Sequence, residues 1–177
     1  MLRRLSILLA VAAMPALAAA QNPVSDAFRA IAASDAKNLV AAAEDVPADK
    51  YGYKPTPAQM TFGAIMVHLA QGNDALCGTI GGVKAPERSK VAATDKKEVL
   101  VARLKETFDF CNSALANISD ANLNEELPFF EGPKMTRARM ELLTVGDWAD
   151  HYSQVANYMR LNGLLPPTAK KPMNMKK

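Results

Sequence analysis

Between Val101 and Ile118, apolar side chains recur at Val101, Leu104, Phe108, Cys111, Leu115 and Ile118. Spacings of three and four residues put them on one face of a helix, the seam by which helices pack into bundles. No stretch shows the sustained alternation of β-branched and polar residues that marks a strand, while alanine, leucine and methionine are plentiful. The chain is therefore expected to be all-α.

Three more helices are expected. The first covers about residues 25–44, with Phe28, Ile31, Leu39 and Val40 on a broad apolar face, and stops before Pro47. The second is expected to start near Pro57, because Thr56-Pro57-Ala58-Gln59 combines a threonine cap, a proline in the first turn and a glutamine three residues on. It ends near Ile80, before Gly81 and Gly82. The last covers about residues 136–161, and Gly163 with Pro166 and Pro167 closes it. The segment before it, "DANLNEELPFFEGPK", is long enough to read as a crossover connection. The expected architecture is a single four-helix bundle with that crossover before the last helix.

The ends of the chain read differently. Residues 1–20 have Arg3 and Arg4, an apolar run from Leu5 to Leu17 and Ala18-Ala19-Ala20, the layout of a signal peptide. Its apolar core is too short to span a bilayer. The mature domain then covers residues 21–167, and residues 168–177 form a basic tail expected to be disordered. Export implies a periplasmic or secreted protein with no membrane association after cleavage. Loss of the two leader arginines takes the formal charge from +3 to +1, too near neutral to point to nucleic acid. Cys77 and Cys111 are the only cysteines. In an oxidising compartment a disulfide between them is expected over two buried thiols.

Chemistry concentrates in three residues. On the last helix Asp147 and His151 are one turn apart, and a helical wheel at ~100° per residue separates them from the polar sector of Gly146, Asp150, Ser153, Asn157 and Arg160. The main apolar side is read as Leu142, Val145, Trp148, Ala149, Tyr152, Val155, Ala156 and Met159. Asp147 and His151 are expected to point inward beside it, where a carboxylate needs a partner. His68, the only other histidine, has Ala64, Gly72 and Ala75 as helical neighbours, which leave space beside its ring. Two histidines and a carboxylate suit a divalent transition metal with open positions. The same spacing also describes a hydrogen-bonded Asp–His pair and a core histidine. Thr144 and Tyr158 share the Asp147–His151 face and are candidates to line a pocket there.

"YGYKPTPAQMTFGAIMVHLA" and "DWADHYSQVANYMRLNGLLPP", in that order, resemble the DinB/YfiT-like family of four-helix-bundle metalloenzymes. The first resembles an aromatic-x-Pro-x-Pro segment leading into a ligand-histidine helix, and the second the family's last helix with its Gly-x-x-Pro-Pro ending. The resemblance implies metal ligands at His68, position 147 and His151, with Asp147 standing where the family has histidine. Ser153 stands where glycine is common, and Gln154 keeps the family's glutamine. It also implies a divalent metal such as zinc, nickel, iron or manganese, a small-molecule substrate, and pairing into homodimers. Some members are thiol-dependent transferases or isomerases. The implied function is a metal-dependent hydrolase or transferase; the alternative is a non-catalytic binding or stress-associated module in which the three residues form a buried hydrogen-bond cluster.

Overall fold

The computed structural model describes residues 22–170, so the leader and most of the basic tail lie outside the described residues. Four long helices carry the fold: α1 (Pro23–Asp45), α2 (Phe62–Gly81), α3 (Lys97–Ala114) and α4 (Arg137–Leu161). They form a bundle in which α2 lies chiefly against α3 and α1 against α4, with α2 and α4 also in contact. The expected seam is real: Leu104, Phe108, Cys111, Leu115 and Ile118 are all buried. At its centre the Phe108 ring meets Trp148 of α4 edge to face at 5.1 Å. No helix among the described residues is long and apolar enough to cross a membrane.

The disulfide forms between Cys77 and Cys111, whose Cα atoms are 5.1 Å apart, and it cross-links α2 to α3. Close approach of these helices also depends on Gly81, where a Cβ would fall 2.3 Å from the carbonyl oxygen of Ala114. Gly82 then takes a left-handed φ of 66° to end α2, and the Val83 N–H closes back onto Gly78.

Several expectations need correction. Helix α2 starts five residues later than Thr56-Pro57 suggests, with Thr61 as its cap accepting from the Ala64 N–H. The N–H groups of Phe62 and Gly63 bond to the carbonyls of Tyr53 and Tyr51, so the preceding loop folds back over the new helix. Thr56 and Gln59 instead close a separate turn. The connection between α3 and α4 is not featureless: it holds an antiparallel hairpin, β1 (Glu126–Phe129) and β2 (Gly132–Thr136), with an irregularity between Leu127 and Phe129. The chain is thus the expected four-helix bundle, with a small hairpin added in the long connection before its last helix. Glu125 and Leu123, just before β1, supply carbonyls to the first N–H groups of α4.

On the helix faces, Ile31, Leu142 and Ala149 are exposed, contrary to the periodicity reading. The expected disordered tail begins in order: α5 (Pro167–Lys170) covers its first residues. The Thr168 N–H bonds to the Tyr152 hydroxyl, and Lys170 pairs with Asp45 at 2.8 Å.

Candidate metal centre

Packing of α2 against α4 brings the two histidines together. The rings of His68 and His151 meet edge to face with centroids 4.8 Å apart. Each of His68, Asp147 and His151 offers one donor atom, and the three atoms lie within 4.8 Å of one another. Tetrahedral ligands ~2.0–2.2 Å from one ion stand about 3.3–3.6 Å apart, so the three donors must draw closer by up to about 1.5 Å to share it. Two imidazole nitrogens and a carboxylate oxygen are donors suited to a divalent transition metal.

The three differ in exposure, which shows how the site is mounted. His151 is buried at 7%, the Asp147 side chain is 43% exposed, and His68 is exposed. Asp147 therefore sits at the rim of the α2–α4 seam and does not point fully inward as its helical phase suggests. His151 Nε2 lies 3.5 Å from Asp147 Oδ1, too long for a hydrogen bond. Among the described residues no hydrogen bond joins the three to one another, and His151 instead contacts Gln154.

His151 is oriented from behind by a chain of contacts. Its Nδ1 lies 3.1 Å from Gln154 Oε1, the Gln154 amide nitrogen lies 3.2 Å from the Tyr158 hydroxyl, and that hydroxyl donates to the Met60 carbonyl at 3.0 Å. A carbonyl can only accept, so it fixes the direction of the whole chain. Tyr158 spends its proton on Met60 and accepts from the amide; the amide oxygen then faces His151 and takes the Nδ1 proton. In the neutral ring this leaves Nε2 with its lone pair toward Asp147. Such support behind a ligand histidine sets its tautomer and ring orientation.

Tyr158 is thus a buried member of the support rather than an open pocket wall, and its ring packs edge to face on Tyr53 at 5.8 Å. Thr144 is fully buried, and its hydroxyl donates to the Met140 carbonyl at 2.8 Å. The role of Gln154 escapes a wheel that looks only for donors; its signal is a position three residues after His151, on the same helical face.

Elsewhere on α4, sequence reading passed over Glu141. It is 1% exposed, and neither carboxylate oxygen has a hydrogen-bond partner. Burial pushes its carboxyl above the ordinary range; nearby Arg137 and Arg29 oppose that push and Asp120 adds to it.

Comparison with known proteins agrees with the fold. No curated protein matches the sequence. A DinB-like protein from Bacillus cereus superposes with a TM-score of 0.67 at 16% identity, over 80% of this chain and 95% of that one. A DinB-like protein from Bacillus subtilis gives 0.61 at 20% identity, over 80% and 93%. A histidine-to-alanine mutant of the mycothiol-dependent maleylpyruvate isomerase gives 0.61 at 11% identity, over 74% of this chain and 60% of that one. The DinB superfamily model matches residues 33–155, a span that contains His68, Asp147, His151 and Gln154. On that match the chain belongs to the DinB superfamily.

Proposed function

We propose that this protein is an exported metal-dependent enzyme, a hydrolase or transferase acting on a small molecule, with His68, Asp147 and His151 as the metal ligands. The observation that carries the reading is the convergence of the three donor atoms within 4.8 Å, with His151 Nε2 turned toward Asp147 by the chain through Gln154 and Tyr158. Export is supported by the leader pattern and by a disulfide suited to an oxidising compartment.

A divalent ion held there supplies Lewis-acid activation of water or of a substrate group. The protein's own contribution is positional. His151 is fixed by burial and by Gln154, whereas the exposed His68 and half-exposed Asp147 leave the outer side open to substrate. Asp147 adds a negative charge that three histidines would lack, which favours a harder, more oxygen-seeking ion than an all-imidazole set does. The fold is shared with an isomerase that depends on mycothiol. Export would separate this chain from a cytosolic thiol, which favours hydrolysis over thiol transfer.

The test is metal analysis of the purified protein after reconstitution with zinc, nickel, iron(II) and manganese in turn, beside His151→Ala and Asp147→Ala. The wild-type chain is expected to retain close to one equivalent of at least one ion, and His151→Ala to lose it. No stoichiometric ion in any reconstitution overturns the enzyme reading and leaves the non-catalytic module.

A further inference from the structure

The α2–α4 seam continues past the metal ligands. On α2, His68, Gly72, Ala75 and Thr79 follow one another at helical spacings of three and four, and on α4 the opposing face carries His151, Asp147, Thr144 and Met140. Farther along this seam Ala75, Thr79 and Met140 meet the hairpin residues Pro128, Phe129 and Phe130 around a cavity of about 190 Å³. Ala75 follows His68 by seven residues and Met140 precedes Asp147 by seven. At 1.5 Å per residue the cavity lies about 10 Å from the donor atoms.

Between the two, the α2 side of the seam is open, while Thr144 and Met140 on α4 are buried. A Cβ built on Gly72 would meet nothing within 4 Å, so α2 leaves a gap there. Across it, Thr144 has committed its hydroxyl to Met140, and Leu143 on the flank is 43% exposed. At the far end Phe130 is 67% exposed and holds a φ of 46°, a left-handed conformation unfavourable for a bulky side chain. Its ring packs edge to face on Phe129, with centroids 4.9 Å apart. The two-residue hairpin loop accounts for that φ but not for an aromatic kept exposed at its tip; contact with a ligand does.

We propose that the hairpin pocket is the recognition subsite for the apolar end of the substrate, and that the substrate is an amphipathic molecule whose polar head binds at His68, Asp147 and His151 while an unbranched, acyl-like chain of about eight carbons runs over Gly72 to Phe130. This rests on the metal-site reading. Chain length is the property the subsite would select, because each methylene is buried only once the chain reaches the pocket.

The probes are linear hydroxamates, from acetohydroxamate to decanohydroxamate, titrated by calorimetry into the zinc-loaded protein. Their head group chelates the ion, and the chain is the variable. Affinity is expected to rise about three- to four-fold per methylene as the chain fills the pocket and to level off near eight carbons. Phe130→Ala, at the far end of the pocket, should flatten the series while leaving acetohydroxamate binding unchanged. Acetohydroxamate binding with no dependence on chain length in the wild-type protein overturns the subsite and spares the metal site. Absence of any bound ion after reconstitution with zinc, nickel, iron(II) or manganese, and of acetohydroxamate binding, overturns both. A metal-independent reading comes from 1-octanol and the metal-free protein, where the amide resonances of Ala75, Thr79 and Phe130 should shift together; unmoved resonances also overturn the pocket.

Discussion

His151 presents its Nδ1 to the Oε1 of Gln154 at 3.1 Å, so a glutamine one turn along the same helix selects which ring nitrogen is left for a metal. Replacing Gln154 with alanine removes the acceptor and frees both the tautomer and the ring angle. Loss of this kind of support typically weakens metal binding by about 10- to 100-fold. Competition with a chromophoric chelator should show that loss for Gln154→Ala. Tyr158→Phe should show a smaller one, since the amide keeps its contact with His151 but no longer has the Tyr158 hydroxyl to direct it. Wild-type affinity in Gln154→Ala would mean that burial alone positions the ring.

Glu141 makes stability depend on pH. Desolvation raises its folded-state pKa above the unfolded value, with Arg137 and Arg29 opposing and Asp120 reinforcing the effect. The folded chain then binds more protons than the unfolded chain just above the ordinary carboxylate pKa, so this contribution to stability is greatest in acid and declines as pH rises through the folded-state value. Glu141→Gln is neutral at every pH and keeps the shape. It should melt a few degrees higher than wild type at pH 7, the scale of about 1 kcal/mol in a chain of this size. The gain should vanish near pH 4. Thermal melts at both pH values provide the check, and a gain that persists unchanged in acid would assign the effect to packing.

The Cys77–Cys111 bridge closes a loop with a sequence separation of 34 residues. In the chain-entropy account a loop of that length stabilises the fold by about 3–4 kcal/mol. The double variant Cys77→Ser, Cys111→Ser should therefore unfold at a clearly lower denaturant concentration than the oxidised protein. Free-thiol titration of the denatured, unreduced wild-type chain should find no thiol; two thiols would remove the basis of the comparison.

Much of the bundle is written locally. The α3 seam, the glycine stop after α2 and the phase of Asp147 and His151 on α4 follow from spacing, which is a property of one helix at a time. What escaped sequence reading depends on distant partners. Thr56 and Thr61 both look like caps, and the choice falls to Thr61 because Tyr51 and Tyr53 offer carbonyls to Phe62 and Gly63. The hairpin is too short, and too interrupted by Pro128 and Pro133, to show alternation. Leu142 fits the apolar phase of α4 but is 70% exposed. Glu141 looks like any helix-surface carboxylate until burial and the charges of Arg29 and Asp120, far away in the chain, act on it. The exposure of Asp147 was hidden for a related reason: a wheel gives the direction of a side chain but not how far the neighbouring helix extends to cover it.

The covalent cross-link between α2 and α3 also changes what a metal ion would mean mechanically. Of the three ligands, His68 belongs to the half of the bundle that the disulfide fastens, while Asp147 and His151 belong to α4, which no covalent bond joins to α2 except along the chain itself. An ion shared by the three would be a second fastener, across the seam that the first leaves free. One clasp opens to reductant and the other to chelator, so the α2–α3 and α2–α4 contacts could be loosened independently, by two different chemical conditions.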